Sequence, residues 1–241
     1  MLITLRSSLY FITMIASIAI FGLAIATIGL LLPLSARDSM AAAWGSSNLW
    51  LMKVICGLKY RIQGEENLPQ HAAIIMCKHQ STWETISLKS IVRPQQSWIL
   101  KQELMRLPIF GWALAAIPNI PIDRSAGRHA VKQIVERGTE LLKQDRVIIV
   151  FPEGTRTAPG EKRKYGIGGG MLAEKSGYPV VPIAHNAGVF WRRRGLKKYP
   201  GTIDVVVGAA FDPRGMKASE ITRKVEAWIE TEVARLPSSP Q

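Results

Sequence analysis

Over the first sixty residues apolar positions run almost without a break, and beyond them they come in short bursts separated by polar, helix-periodic stretches. Leu9 to Leu32 holds neither a charge nor a proline. As a helix it covers about 36 Å, more than the roughly 30 Å hydrocarbon core of a bilayer. Pro33, Ser35, Arg37 and Asp38 end it. A cleaved signal would have a shorter apolar core and a small residue in place of Leu34 ahead of Ser35 and Ala36, and a buried soluble helix would be shorter and amphipathic. The pattern therefore predicts a membrane helix. Met40 to Leu58 predicts a second helix, whose Trp44 and Trp50 suit either a membrane interface or packing on the rest of the chain.

The short bursts predict strands: Tyr60 to Ile62, Ala73 to Met76, a strand near Trp98 to Leu100, Val147 to Phe151, Val180 to Ala184 and Ile203 to Val207. Val147-Ile148-Ile149-Val150-Phe151 is continuously apolar, the mark of a strand buried on both faces. Between them lie predicted helices over Thr82 to Ser90, around Gly111, over His129 to Lys143, near Met171 to Ser176, and over Ser219 to Ala234 with Ser219 as N-cap. Strands alternating with helices predict an α/β sheet with helices on its faces. The tail from Leu236 to Gln241 is expected to fray.

Charge adds a surface to this picture. Lys plus Arg number 31 against 18 acidic residues, a formal +13, with local clusters at Arg192-Arg193-Arg194, Lys197-Lys198 and Lys162-Arg163-Lys164. Such clusters favour an anionic membrane surface. Nucleic acid is the generic alternative for so basic a chain, and the long apolar helix argues against it. Trp191, beside the arginines, either marks the interface or packs. The two cysteines, Cys56 and Cys77, make no disulfide framework and fit a reducing, cytosol-facing domain.

The chemistry concentrates in two blocks. In Lys78-His79-Gln80-Ser81-Thr82-Trp83-Glu84 an imidazole is followed five residues later by a carboxylate. A neutral histidine takes a proton from an attacking hydroxyl, and a carboxylate behind it fixes the tautomer and stabilises the imidazolium. Residues i and i+5 on one helix do not face each other. The pair meets only if His79 lies in a loop and Glu84 in the first turn of the helix that follows. Ser81 to Glu84 is also a capping box, in which Glu84 returns to the Ser81 backbone with no part in chemistry. Both readings stand at this level. There is no Gly-x-Ser-x-Gly elbow, so a base at His79 would act on the substrate's own hydroxyl.

The second block, Phe151-Pro152-Glu153-Gly154-Thr155-Arg156, follows a strand directly, where open α/β sheets place ligands. Arg156 offers a planar fork of donors for phosphate or carboxylate, or it belongs to an ordinary solvated turn. Lys101 and Arg124 also stand at the ends of apolar runs. The four histidines show no zinc-type pairing, so no metal is expected. Gly166 to Gly170 reads as a flexible lead-in to a helix, with a phosphate cradle as the alternative.

In order, His79 with Glu84, Lys101 to Gly111 with Ile122-Asp123-Arg124, Phe151 to Arg156, and Val180-Val181-Pro182-Ile183-Ala184 resemble the four blocks of the glycerolipid acyltransferase family, in its bacterial 1-acyl-sn-glycerol-3-phosphate acyltransferase branch. The one departure is Glu84, where that family has Asp. The resemblance implies a central mixed sheet flanked by helices, residues 59–236, behind a two-helix membrane anchor, residues 1–58, with 237–241 as a tail. It implies acyl transfer from an acyl thioester to the 2-hydroxyl of lysophosphatidic acid, giving phosphatidic acid, at a bacterial inner membrane. His79 would be the base and Glu84 its orienting partner. Lys101, Arg124 and Arg156 would hold the acceptor phosphate, and Glu153, Gly154 and Thr155 would shape that site. No cofactor is implied beyond acyl-CoA or acyl-acyl carrier protein as co-substrate. Another lyso-lipid acceptor, such as lyso-ornithine lipid, and a non-catalytic membrane-binding role are the alternatives.

Overall fold

The computed structural model describes residues 1–93 and 95–239. The N-terminal apolar run forms α1, Leu2–Ala26, and then breaks: Thr27 closes the helix and Ile28–Leu31 is a single 3₁₀ turn. The uninterrupted helix expected to Leu32 is thus shorter at its far end and longer at its start. Pro33, in extended geometry, stands as the N-cap of α2, Leu34–Cys56, where its missing N–H is not needed. Together α1 and its 3₁₀ turn are long and apolar enough to cross a membrane, and Leu5, Leu9, Ile12 and Ile20 lie exposed along it.

Seven strands form one sheet in the order β1-β7-β6-β2-β5-β3-β4. They are β1, Leu58–Gln63; β2, Ile74–Cys77; β3, Gln96–Lys101; β4, Ile120–Ile122; β5, Val147–Val150; β6, Val180–His185; and β7, Gly201–Val207. Every neighbouring pair is parallel except β6 with β7, so the sheet is mixed. Residues on β2 and β5 are all buried, as strands covered on both faces must be. The helices are α3, Trp83–Ile91; α4, Phe110–Ala115; α5, Arg128–Lys143; α6, Gly168–Ser176; α7, Ala187–Phe190; and α8, Ala218–Arg235.

The first two helices join the core. Tyr10 and Met14 of α1 and Leu49 and Met52 of α2 share one apolar cluster with Ile75, Trp83 and Val205. Gly45 lets α2 lie on α3, since a Cβ there would meet the Ile86 carbonyl oxygen at 2.9 Å. Asp38 of α2 accepts a buried bidentate pair from Arg146, at 2.7 and 2.8 Å, and Arg146 also donates to Ser97 Oγ. Trp44 packs inward and donates to Ser17 Oγ at 3.1 Å, whereas Trp50 faces outward.

Two open readings are resolved, those of Trp191 and the glycine run, and two expectations change, those of Lys198 and Ser219. Trp191 is buried edge-on against Tyr10, with ring centroids 5.9 Å apart. Lys198 is buried too, its ammonium over Trp191 at 4.5 Å and Tyr10 at 5.2 Å, so that cluster presents Arg192, Arg193, Arg194 and Lys197 to the surface. The glycines at the start of α6 form a packing surface: a Cβ at Gly170 would lie 2.4 Å from the Ala218 carbonyl oxygen of α8, one at Gly169 2.8 Å from the Met76 side chain of β2, and one at Gly168 3.0 Å from the Ile134 side chain of α5. The last helix is capped by Lys217 and Glu220 rather than Ser219, Glu220 accepting the Lys217 N–H at 2.8 Å.

Candidate active site

The sheet order explains how residues far apart in sequence meet. Strands β2, β5, β3 and β4 are consecutive parallel neighbours, so their carboxyl ends lie side by side. His79 follows β2, Phe151 to Arg156 follow β5, Lys101 ends β3, and Arg124 follows β4. Four of the sequence's candidate positions are therefore placed along one edge by topology alone.

His79 Nδ1 lies 2.8 Å from Glu84 Oε1, and both side chains are almost fully buried. The same oxygen accepts the backbone N–H of Gln80 at 2.8 Å and of Ser81 at 2.7 Å. The capping box and the histidine pairing are thus one arrangement: the carboxylate closes the first turn of α3 and aims the ring with a single oxygen. Burial opposes the ionised form of Glu84, but the hydrogen bonds it accepts from the His79 ring and the Ser81 N–H help to offset it, and the carboxyl is held below its ordinary range. Nδ1 then carries the ring proton and Nε2 is left as the basic nitrogen. Phe151 backs the ring in a near-parallel stack, centroids 4.2 Å apart.

His185 lies beneath this pair. Its Nδ1 accepts the Ala187 N–H at 3.2 Å and its Nε2 donates to the Lys78 carbonyl at 2.8 Å, an assignment that requires the neutral ring. Burial lowers its basicity in the same sense.

Arg156 is half-buried, with its Nε unpartnered among the described residues. It lines a cavity of about 320 Å³ together with His79, Lys101 and Arg124. Arg124 donates to the Gly154 carbonyl, and Lys101 pairs with Glu103 at 2.8 Å. Glu153, Gly154 and Thr155 do not line the cavity. Glu153 turns inward, where Oε2 accepts the His79 N–H at 2.7 Å and Oε1 accepts the Thr157 hydroxyl at 2.9 Å. Gly154 has φ +69°, which explains a glycine in the turn, and Thr155 is half-buried beside it.

From this cationic mouth the cavity continues as an apolar channel. Its walls are Met14, Ile18 and Phe21 of α1, Trp44 of α2, Ile86 of α3, Trp98 and Leu100 of β3, and Phe110 and Leu114 of α4. Sequence reasoning missed most of this wall, His185 and Thr157; it placed Phe151 in the second block, just after β5, but not behind the His79 ring.

A cationic mouth with a carboxylate-oriented histidine, opening into an apolar channel at the carboxyl edge of a mixed sheet, suits chemistry on an amphiphile with an anionic head. A family model described as Acyltransferase matches residues 59–186, and the chain belongs to that family. Among its relatives, a 1-acyl-sn-glycerol-3-phosphate acyltransferase of Pseudomonas aeruginosa is 40% identical over 236 residues, covering 96% of this chain and 91% of that protein. One of the same name from Saccharomyces cerevisiae is 32% identical over 135 residues, 55% of this chain and 45% of that protein. The fold matches the crystal structure of the 1-acyl-sn-glycerophosphate acyltransferase PlsC from Thermotoga maritima, with a TM-score of 0.79, 21% identity, and coverage of 96% and 94% of the two chains.

Proposed function

We propose that this protein transfers an acyl chain from a thioester to the 2-hydroxyl of 1-acyl-sn-glycerol-3-phosphate, giving phosphatidic acid. The observation that carries the reading is the His79–Glu84 pair at the cationic mouth of an apolar channel. His79 Nε2 takes the proton of the 2-hydroxyl as its oxygen attacks the thioester carbonyl. The tetrahedral intermediate collapses, the C–S bond breaks, and the thiolate leaves with the proton from Nε2. Glu84 stabilises the imidazolium in between. No side chain is acylated and no cofactor enters.

Arg156, Lys101 and Arg124 hold the acceptor phosphate, the unpartnered Arg156 Nε supporting that role. Gly154 carries the carbonyl that accepts from Arg124, Glu153 with Thr157 holds the loop around it, and Thr155 lies within that loop. The apolar channel takes an acyl chain. The donor is acyl-CoA or acyl-acyl carrier protein, either of which brings an acidic carrier to a basic surface. Helices α1 and α2 anchor the protein in the bacterial inner membrane, with the sheet on the cytosolic side and the exposed arginines 192–194 against anionic headgroups.

The test is purified wild type and His79→Ala in detergent micelles with lysophosphatidic acid and an acyl-CoA, phosphatidic acid being quantified by mass spectrometry. Wild type is expected to form product, and His79→Ala to lose at least about 10²-fold in rate while keeping its thermal transition. Product from both proteins would remove the base assignment. Transfer to lyso-ornithine lipid but not to lysophosphatidic acid would change the acceptor.

A further inference from the structure

Lys78 has no part in the chemistry above, yet its side chain is only 1% exposed. Its Nζ lies 2.9 Å from Glu153 Oε1 and 2.6 Å from Glu230 Oε1. Each carboxylate is engaged beyond it. Glu153 reaches the His79 N–H and the Thr157 hydroxyl, while Glu230 accepts the Tyr165 hydroxyl at 2.9 Å. Thr157 in turn donates its N–H to the His79 carbonyl at 2.8 Å. Both polar groups of the His79 backbone are thus held by the loop after β5, and that loop is held by Lys78.

Glu230 belongs to α8, beyond the 59–186 segment that carries the family. The helix has no need of it for docking, since Ile221, Val225 and Ile229 are fully buried against the sheet. Desolvating an ammonium and two carboxylates costs about what their attraction returns, so apolar residues of similar volume would stabilise the fold as well. What apolar residues would not supply is a directional hold on Glu153.

We propose that Lys78 and Glu230 are positioning residues for acyl transfer: the ammonium, clamped from the C-terminal helix, holds the Glu153 carboxylate on the His79 backbone and so fixes where the base stands. This rests on His79 being the base.

The arrangement has a signature in pH. Burial raises the pKa of Glu153, and Lys78 is the main group opposing that rise. Among the described residues the other ionisable groups acting on Glu153 are Tyr165 ahead of α6 and Cys77 at the end of β2, with Glu230 of α8 sharing the same ammonium. None of these is a second cation. With Lys78 replaced by methionine, Glu153 takes up a proton at higher pH than before and its hold on His79 weakens.

Steady-state kinetics of Lys78→Met, Lys78→Arg and Glu230→Gln, from mildly acid to mildly alkaline pH in the same micelles, test this. Lys78→Met is expected to lose about a hundredfold in kcat at neutral pH, with KM for lysophosphatidic acid within about twofold, because a misplaced base costs rate rather than binding. Its kcat is expected to climb with pH where wild type is already level. Lys78→Arg should restore the wild-type profile, and Glu230→Gln should lose about tenfold in kcat with its thermal transition unchanged. A wild-type kcat and profile in Lys78→Met, or a loss confined to KM, overturns the proposal while His79→Ala remains inactive. If Lys78→Met does not fold, an unchanged kcat in Glu230→Gln overturns it instead. Turnover by His79→Ala would remove the reading beneath it, and the proposal with it.

Discussion

At the scale of single residues, Glu84 has the most demanding post. One of its oxygens serves the ring of His79 and two backbone N–H groups. Glu84→Gln would turn an amide N–H₂ toward Nδ1 or lose the cap, and either way the proton moves to Nε2, where the base is needed. The expected result is a fall in kcat of about three to four decades, with the protein still folded. Arg156→Ala is expected to raise KM for lysophosphatidic acid more than about tenfold with little change in KM for the donor, read from initial rates with each substrate varied in turn.

Lys89 tells a different story. It sits in the cavity wall with its ammonium over Trp98 at 4.9 Å, and burial lowers its pKa from 10.5 to about 7. Above that value the folded protein binds fewer protons than the unfolded chain, so stability contributed here rises as pH rises from about 7 toward 10.5. Lys89→Met is therefore expected to gain less in thermal transition between pH near 7 and pH near 9 than wild type does, as differential scanning calorimetry of the two would show. His79 and Glu84 were legible as a pair worth noting, but their spacing suited a capping box equally, and only the structure shows one oxygen making both contacts. Lys89 was not legible, because a helical lysine with no structure around it looks like a solvated one.

At the scale of elements, the buried strands were legible wherever β-branched runs were continuous, as at Val147 to Val150. The three-residue β4, with Pro121 at its centre, was too short to declare itself. Nor did α7, a single turn. The mixed sheet came from the family resemblance, and the strand order came from the structure, because pairing depends on contacts between segments that no local pattern encodes. The glycine run reads in sequence as a flexible lead-in to a helix, whereas Gly168 to Gly170 open α6 itself and form a packing surface that only its neighbours β2, α5 and α8 reveal. Gly170→Ala is expected to destabilise the protein by about 1–3 kcal/mol, since its Cβ meets backbone that cannot yield. Urea unfolding in micelles measures it, and a neutral effect would mean that α6 and α8 slide apart without cost.

At the scale of the molecule, the first two helices and the sheet are one construction. Asp38 neutralises Arg146 under the sheet, and α1 and α2 close the apolar channel. Asp38→Ala leaves a guanidinium buried without its carboxylate, an omission that costs about 3–5 kcal/mol. It is expected to lower the thermal transition sharply, whereas the paired change Asp38→Leu with Arg146→Met should recover much of the loss. Deleting residues 1–56 is expected to yield an aggregating, inactive protein rather than a soluble enzyme, a result that size-exclusion chromatography and the micelle assay would expose together.

Under the proposed function, with α1 seated in a bilayer, a channel wall supplied by that helix would also change what binding an acyl chain is worth. From water, each methylene buried contributes about 0.8 kcal/mol, and longer chains win simply by being longer. A chain sliding from the bilayer into a channel made of Met14, Ile18 and Phe21 leaves one hydrocarbon environment for another, and that gain all but vanishes. Length alone then carries no advantage. Discrimination between chains falls to the shape of the channel and to contact with its side chains, as it does in the packing of helices within lipid.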